Sequence, residues 1–266
     1  MKYISQLVLI VFLNTGISYA AGRLPFVSGF ETGDFSEWNG GLDSSLIVSN
    51  IDSHSGSYAA RSTMTLGSTT DNYKDFYFGD HPQVGGEPAS GDLWLKFFIK
   101  FEPGFQFGDV NTHKIAIINF ENEFGRRRYQ IVLNVWTSTQ RYFIENLAWN
   151  PDGSFDRGIS GMPQNMTNPS TVQFGIWDEI KLYIKTNTPG QANGIVRMWI
   201  NGELKLEYTD RLLREDTNYN PNKLILSNYV TNTDVSGVQW WDDFYLGETD
   251  PDSAPPPAAP YLHPIQ

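Results

Sequence analysis

Cysteine is absent from the 266-residue chain, and basic residues are scarce. The missing thiols exclude cysteine nucleophiles and zinc–thiolate sites, while a chain of this size can bury enough apolar surface without disulfides. Lys and Arg number 19 against 30 Asp and Glu, for a formal net charge of −11 at pH 7. Because nucleic-acid-binding proteins usually carry the opposite balance, we expect no nucleic-acid partner.

Long hydrophobic runs are also missing, apart from a short one at the start of the chain. Lys2 precedes an apolar run over residues 7–13, and the small residues Ser18 and Ala20 follow. This order predicts a secretory signal peptide over residues 1–20, cleaved after Ala20. A membrane-spanning helix needs about 20 apolar residues. We therefore expect no membrane insertion and a secreted or periplasmic protein.

The sequence also lacks a sustained helical period. Apolar residues instead alternate with polar ones, and turn residues separate the alternating segments. Such alternation runs through 93–101, 128–136, 180–185 and 196–200, and a further strand is expected over 141–149. It predicts an all-β antiparallel sandwich with almost no helix. The ordered domain is expected to span 23–249, followed by a disordered Pro-rich tail over 250–266.

Turn residues predict two of the hairpins. Residues 121–125 separate two alternating segments, and the Asn201-Gly202 pair separates two others. A two-residue type I′ turn is the first expectation at Asn-Gly. A regular ladder from that turn would place Leu206 on the opposite face from Met198. A shift of one residue in the strand register moves every side chain to the other face of the sheet. We therefore favour a longer connection or a bulge, either of which would pair Met198 with Leu206.

Four segments resemble concanavalin A-like jelly-roll domains. They are Gly29–Trp38 (GFETGDFSEW), Trp177–Lys185 (WDEIKLYIK), Gly194–Leu204 (GIVRMWINGEL) and Trp240–Leu246 (WWDDFYL). Their order is most similar to that of the heparin-lyase-like polysaccharide lyases, and the resemblance covers most of residues 29–247. It implies a two-sheet antiparallel jelly-roll sandwich that cleaves an anionic, uronic-acid polysaccharide by β-elimination. The same fold carries other functions.

The resemblance is incomplete at the motifs that carry chemistry. Jelly-roll lyases often carry a Q-x-H strand motif, but His113 has Asn111 two residues before it. The E-x-D-x-E motif of sandwich glucanases is absent, and Glu121 and Glu123 lie in a predicted hairpin loop. The alternatives are therefore a non-catalytic carbohydrate-binding module or lectin, a hydrolase, and a matrix or adhesion protein.

Elimination from a uronic acid needs a group that neutralises the C5 carboxylate, a base and an acid. One face of the strand over 126–136 offers suitable side chains, since Arg binds carboxylates, amides bond carboxylates or hydroxyls, and an indole stacks on a sugar. These side chains are Arg126, Arg128, Gln130, Asn134 and Trp136. We predict Gln130 as a catalytic residue and the other four as substrate ligands; an exposed outer-sheet face of mixed polar residues is the alternative.

The neighbouring strands offer proton-transfer groups. Only one of His113 and Lys114 can share the face just described, because successive strand residues point to opposite sides. We predict His113 as general base or acid, Lys114 as a substrate ligand, and Tyr142 on the next strand as a second acid–base group. A structural role is the alternative for each.

Carboxylates near the first and last strands predict a second site. First and last strands are neighbours in this superfamily, so Glu31, Asp34, Asp242 and Asp243 could converge. Carboxylate oxygens are the ligands that Ca²⁺ prefers. We therefore predict a structural calcium ion at this point. The alternative is that the carboxylates cap turns and accept bonds from backbone amides.

Overall fold

A computed structural model describes residues 22–41, 45–67, 71–108, 112–156, 170–229 and 234–253. These residues form thirteen β-strands and no helix. The strands are β1 Phe26–Ser28, β2 Leu46–Ser49, β3 Ala59–Met64, β4 Asp71–Tyr77, β5 Asp92–Phe101, β6 Thr112–Glu121, β7 Arg127–Trp136, β8 Arg141–Ala148, β9 Asp178–Lys185, β10 Gly194–Ile200, β11 Glu203–Arg211, β12 Asn220–Tyr229 and β13 Gly237–Gly247. The prediction of an all-β antiparallel fold is confirmed, while the predicted signal peptide lies outside the described residues.

The strands build two sheets. The order in the eight-stranded sheet is β11-β10-β9-β5-β13-β3-β2, with β1 also paired to β13. The order in the five-stranded sheet is β4-β12-β6-β7-β8. Because β4 and β12 are neighbours, segments far apart in sequence share one edge of the smaller sheet. Within the described parts of the chain, no helix is long and apolar enough to cross a membrane.

The core lies between the two sheets and takes every second side chain. Phe97 and Phe244 of the larger sheet are fully buried and stack with ring centroids 4.9 Å apart. Ile131, Leu133 and Leu224 belong to the same core cluster on the smaller sheet. Each sheet therefore turns one row of side chains into this core and the alternate row to its outer face.

The Asn201-Gly202 hairpin combines both predicted features. Both turn residues have a positive φ, 52° for Asn201 and 77° for Gly202, as a two-residue type I′ turn requires. The register shifts just before the turn, so that Met198 pairs with Leu206 and both lie in the core. A bulge therefore keeps the apolar side chains on one face, as predicted.

The first four residues of the predicted tail, 250–253, are described and contact the outer face of the larger sheet. The Asp252 carboxylate lies 2.8 Å from Lys96 Nζ and 2.7 Å from Lys181 Nζ. Residues 254–266 lie outside the described part of the chain. Both lysines thus take part in ion pairs on the face opposite to the core.

Candidate active site

The outer face of the five-stranded sheet carries a depression that we call the groove. It is lined by Gly41, Tyr73, Asp75, Tyr77, Lys114, Ile117, Arg127, Gln130, Trp149, Lys223, Ile225, Ser227 and Tyr229. Most of these side chains alternate along their strands with buried ones such as Phe76 and Leu224. The two-residue period of a strand therefore separates the groove from the core.

Asp75, Tyr77 and Lys223 form a close cluster at one side of the groove. The Lys223 Nζ lies 2.9 Å from Asp75 Oδ2, and the Tyr77 hydroxyl donates to the same oxygen at 3.3 Å. Lys223 stands directly opposite Tyr77 in the β12–β4 register. Asp75 is only 3 % exposed. One carboxylate thus holds both an ammonium and a phenol.

Burial dominates the protonation of this cluster. Burial raises the pKa of Asp75 and of Tyr77, and the neighbouring Asp75 carboxylate raises the pKa of Tyr77 further. Burial opposes the charge of Lys223, but the hydrogen bond and charge of Asp75 outweigh it, so the pKa of Lys223 is raised. Tyr77 is therefore a protonated phenol at neutral pH, and Lys223 is an ammonium.

A chain of polar side chains runs from this cluster across the groove. The His81 ring stacks on Tyr77, with centroids 4.1 Å apart, and its Nε2 lies 3.1 Å from Glu121 Oε2. Asn119 donates to the other Glu121 oxygen at 2.7 Å. Gln130 in turn donates to Asn119 Oδ1 at 2.7 Å. Three side chains, those of His81, Glu121 and Asn119, thereby connect Tyr77 to Gln130.

Both nitrogens of His81 are occupied. The backbone N–H of Gln83 donates to His81 Nδ1 at 3.2 Å, so the neutral ring carries its proton on Nε2 and donates it to Glu121. Neither nitrogen is open to a ligand in this arrangement. Tyr77 is consequently the better-placed acid–base group of the two.

Cations and aromatic rings line the rest of the groove. The Arg127 guanidinium lies over the Trp149 ring at 4.1 Å, and Lys114 Nζ lies over the Tyr229 ring at 4.6 Å. Such pairs hold a cation beside a flat apolar surface. The arrangement suits a ligand with carboxylates and sugar rings.

Four of the residues singled out in the sequence lie on this outer face. Gln130 pairs with Asn119, and Asn134 pairs with Lys114, in the β6–β7 register. Trp136 lies two residues further along, with its ring 5.4 Å from that of Phe143. Asn134 is fully buried and donates to a carbonyl of its own strand. Their roles in binding or catalysis stay predictions.

Arg126 and Arg128 do not join that face, so this part of the prediction is wrong. A register shift at the start of β7 places Arg127 opposite Glu121. Arg126 is exposed in the turn, and Arg128 pairs with Glu215 at 3.1 Å. The shift moves the strand by one residue, so Arg127 takes the groove position expected for its neighbours.

His113 lies in the core, so its predicted position in the groove is wrong. It is 0 % exposed, and its Nε2 lies 2.7 Å from Gln239 Oε1. The rings of Phe101, Phe105 and Phe107 surround it at centroid distances of 5.8, 5.6 and 5.4 Å. Burial lowers the pKa of His113 to about 4. The neutral imidazole fills the sandwich, and Lys114 is the residue of the pair that faces outward.

Tyr142 is likewise internal, and the prediction that places it at the substrate is wrong. It is 0 % exposed and stands opposite Val135 on the inner face. Its hydroxyl donates to Asp178 Oδ2 at 2.8 Å. Burial raises the pKa of Tyr142 well above its usual value. A buried phenol with this partner stabilises the interface between the sheets.

The four carboxylates predicted as calcium ligands accept hydrogen bonds within the protein. Glu31, Asp242 and Asp243 all bond to the segment 54–58, whereas Asp34 bonds to the backbone amide two residues ahead. Within the described ranges, no three His, Cys, Asp or Glu residues are grouped to hold a metal ion. The bonding follows the backbone-capping alternative, and calcium binding stays a prediction.

Several residues of the groove and of the polar chain beside it were not singled out from the sequence. Asp75, Tyr77, Arg127 and Lys223 line the groove, and the His81 ring stacks on Tyr77. Alternation at Tyr73-Asp75-Tyr77 and at Lys223-Ile225-Ser227 is the signal that could have marked their strands. Their convergence depends on the pairing of β4 with β12, which alternation does not specify.

Comparisons with known proteins give one family and one fold. A family model described as polysaccharide lyase matches residues 30–235. No curated protein matches the chain.

Similar solved structures share the architecture at low sequence identity. An endo-β-1,4-glucuronan lyase from the fungus Trichoderma reesei is 15 % identical, covers 82 % of this chain and 93 % of its own, and gives a TM-score of 0.58. A variant of alginate lyase Aly36B in complex with alginate tetrasaccharide is 16 % identical, with 87 % and 94 % covered and a TM-score of 0.53. The alginate lyase vAL-1 from Chlorella virus is 12 % identical, with 80 % and 93 % covered and a TM-score of 0.56. At such identities the likeness shows the fold alone.

Proposed function

Since the chain belongs to the polysaccharide lyase family, we propose that its groove cleaves a uronic-acid polysaccharide by β-elimination. One observation carries the proposal: a phenol, two cations and a polarised amide pair lie together on the outer face of one sheet. Glucuronan and alginate, named for two of the similar structures, are both polymers of uronic acids. They define the substrate class to be tested.

The cations and the amide would bind the substrate carboxylate. Elimination begins at C5, whose proton becomes acidic only when the attached carboxylate is neutralised. Lys223 and Arg127 supply positive charge, and Gln130 supplies an amide within the same groove. Charge-assisted hydrogen bonds of this kind are about twice as strong as neutral ones. Trp149, already under the Arg127 guanidinium, offers a ring for sugar stacking.

Tyr77 would carry both proton transfers. Its hydroxyl passes its proton to Asp75 Oδ2, 3.3 Å away, as the phenol oxygen takes the C5 proton. The C5 electron pair forms the C4=C5 double bond, and the C4–O bond breaks. Tyr77 then donates the acquired proton to the leaving oxygen, and Asp75 returns the first proton to Tyr77. Atoms and charge balance, and no other acid or base is required.

A substrate screen tests the proposal. The protein is incubated with glucuronan, alginate, glycosaminoglycans and a neutral glucan, and absorbance at the unsaturated-uronate band is followed together with new reducing ends. We expect both signals to rise together with at least one uronate polymer and neither with the glucan. Reducing ends without absorbance would identify a hydrolase. Binding without either signal would identify a carbohydrate-binding module and overturn the proposal.

A further inference from the structure

Glu121 lies between the two halves of the proposed catalytic site. It is 5 % exposed on the groove side of β6, and one oxygen accepts from His81 while the other accepts from Asn119. The His81 ring leads to Tyr77 by stacking, and Asn119 leads to Gln130 by a hydrogen bond. One carboxylate therefore has two arms, and each arm ends on a residue of the proposed mechanism.

The amide arm has only one orientation while Glu121 is ionised. A carboxylate accepts hydrogen bonds and cannot donate them, so Asn119 must present its NH₂ group to Glu121. The Asn119 oxygen then faces Gln130, which must donate its own NH₂ group. The charge of Glu121 thus fixes the orientation of the Gln130 amide: one N–H of its NH₂ group bonds to Asn119, and the second N–H of the same group can be donated to a ligand carboxylate.

The imidazole arm is fixed by the same rule. The Gln83 backbone N–H donates to His81 Nδ1, and the Nε2 proton goes to Glu121. The two bonds hold the ring plane within 10° of the Tyr77 ring. Tyr77 cannot turn about its side-chain bonds without leaving this stack.

The backbone of Glu121 is held as firmly as its side chain. Asn222 accepts from the Glu121 N–H at 3.2 Å and donates to the Glu121 carbonyl at 2.9 Å. This amide clamp lies at a register shift between β6 and β12, where the regular ladder is interrupted. Glu121 is therefore a rigid anchor for both arms.

We propose that Glu121 is a positioning residue that orients Tyr77 through His81 and Gln130 through Asn119. The inference rests on the proposed function, because those two residues are the acid–base group and the carboxylate ligand there. Glutamine would nearly match the shape of Glu121, but it offers one acceptor and one donor group. In E121Q one of the two arms must reverse or lose its hydrogen bond.

The test compares E121Q with E123Q, which removes the same charge from an exposed position of the same hairpin. Nuclear magnetic resonance first records the ring ¹⁵N shifts of His81 and the side-chain amide signals of Asn119 and Gln130 without substrate. We expect E121Q to change the signals of at least one arm and E123Q to change neither. Unchanged signals in E121Q would overturn the proposed positioning role.

Kinetics then separate positioning from general damage. With the substrate found in the screen, E121Q should lower kcat roughly 10- to 100-fold, as expected for a misplaced reacting group. The fold-loss in kcat caused by E121Q should be much smaller when the substitution is added to Gln130→Met or to His81→Asn. The effects of residues that act through one another are not additive. Full additivity in both backgrounds would overturn the inference.

Two further outcomes stay interpretable. If the wild-type protein cleaves no glycan, the proposed function fails, whereas the resonance comparison still decides whether Glu121 orients the two arms. If E121Q unfolds, Asn119→Ser replaces it, because that change keeps Glu121 and breaks one arm. The Gln130 signals should then move while those of His81 stay, and the reverse pattern would contradict the proposal.

Discussion

Three tyrosines line the groove, and two of them stand directly opposite a lysine. Tyr77 is paired with Lys223, and Tyr229 with Lys114. The difference lies in the hydroxyls: Tyr77 donates to the buried carboxylate of Asp75. Among the described residues, Tyr77 is therefore the tyrosine of these two pairs that has a carboxylate able to take its proton during the reaction.

Replacing each hydroxyl tests that assignment. We expect Tyr77→Phe to lower kcat by roughly 10²- to 10⁴-fold, the usual contribution of a general acid–base group. Tyr229→Phe should leave kcat nearly unchanged, because it removes a hydroxyl that has no part in the proposed proton transfers and keeps the ring that lines the groove. Initial rates at the unsaturated-uronate band provide kcat for both variants. A larger loss of kcat in Tyr229→Phe than in Tyr77→Phe would indicate that the reaction takes place beside Tyr229 and Lys114.

His113 is a second residue whose environment makes a measurable difference. Its pKa is lowered to about 4 by burial, against 6.5 for an unperturbed imidazole. The unfolded chain therefore takes up a proton below about pH 6.5 that the folded protein resists. The stability from this residue is complete above that pH and is lost as the pH falls towards 4.

Denaturation at two pH values measures this contribution. Between pH 7.5 and 4.5, His113 should account for roughly 2 to 3 kcal/mol of the loss in unfolding free energy. His113→Gln removes the titration, so its loss over the same interval should be smaller by that amount. Urea unfolding of both proteins at both pH values provides the difference. Equal losses would mean that His113 is charged in the folded protein.

At the scale of strands, the β6–β7 hairpin decides which arginine reaches the groove. A register shift places Arg127 opposite Glu121 and over Trp149, while Arg128 pairs with Glu215 away from it. Arg127→Ala should raise KM for an anionic glycan several-fold. Arg128→Ala should leave KM nearly unchanged, since Arg128 does not line the groove.

Added salt provides the control for this pair. Attraction between exposed charges is screened within about 8–10 Å at physiological ionic strength, so the KM of the wild-type protein should rise with salt. Arg127→Ala should show a weaker salt dependence than Arg128→Ala. A weaker salt dependence in Arg128→Ala than in Arg127→Ala would show that the register shift does not make Arg127 the substrate ligand.

The strands were predictable because alternation is a local property. The segments 126–136 and 141–149 coincide within a residue or so with β7 and β8. Strict alternation failed at the bulge, where it assigned Arg126 and Arg128 to the groove instead of Arg127. The position of a bulge depends on the pairing with the neighbouring strand, so it cannot be predicted from the sequence of one strand alone.

The composition of the site was less predictable than the strands. Gln130 was singled out because an amide among apolar neighbours needs a partner, and Asn119 is that partner. Tyr77 and Lys223 meet only because β4 pairs with β12. His113 seemed available because a histidine is a common acid–base group, but its neighbours Phe101 and Phe105 make it a core residue. Such contacts depend on sheet order.

The two outer sheet faces both carry cations over aromatic rings, and they differ in which of these cations are paired with carboxylates. On the eight-stranded sheet, Lys96 and Lys181 are both held by Asp252. On the five-stranded sheet, Arg127 lies over an aromatic ring inside the groove. A chain with a net charge of −11 repels a polyanion as a whole. Under the proposed function, binding must therefore depend on cations concentrated at one place, and we propose that this place is the groove.

A crystal structure of the Tyr77→Phe protein with a uronate oligosaccharide tests this account most directly. The substitution slows cleavage and leaves the lining of the groove otherwise intact. We expect sugar rings along the outer face of the five-stranded sheet, one of them against Trp149. We also expect a carboxylate within hydrogen-bond distance of Arg127, Lys223 or Gln130. An oligosaccharide bound on the eight-stranded sheet, with the groove left to solvent, would contradict the proposed site.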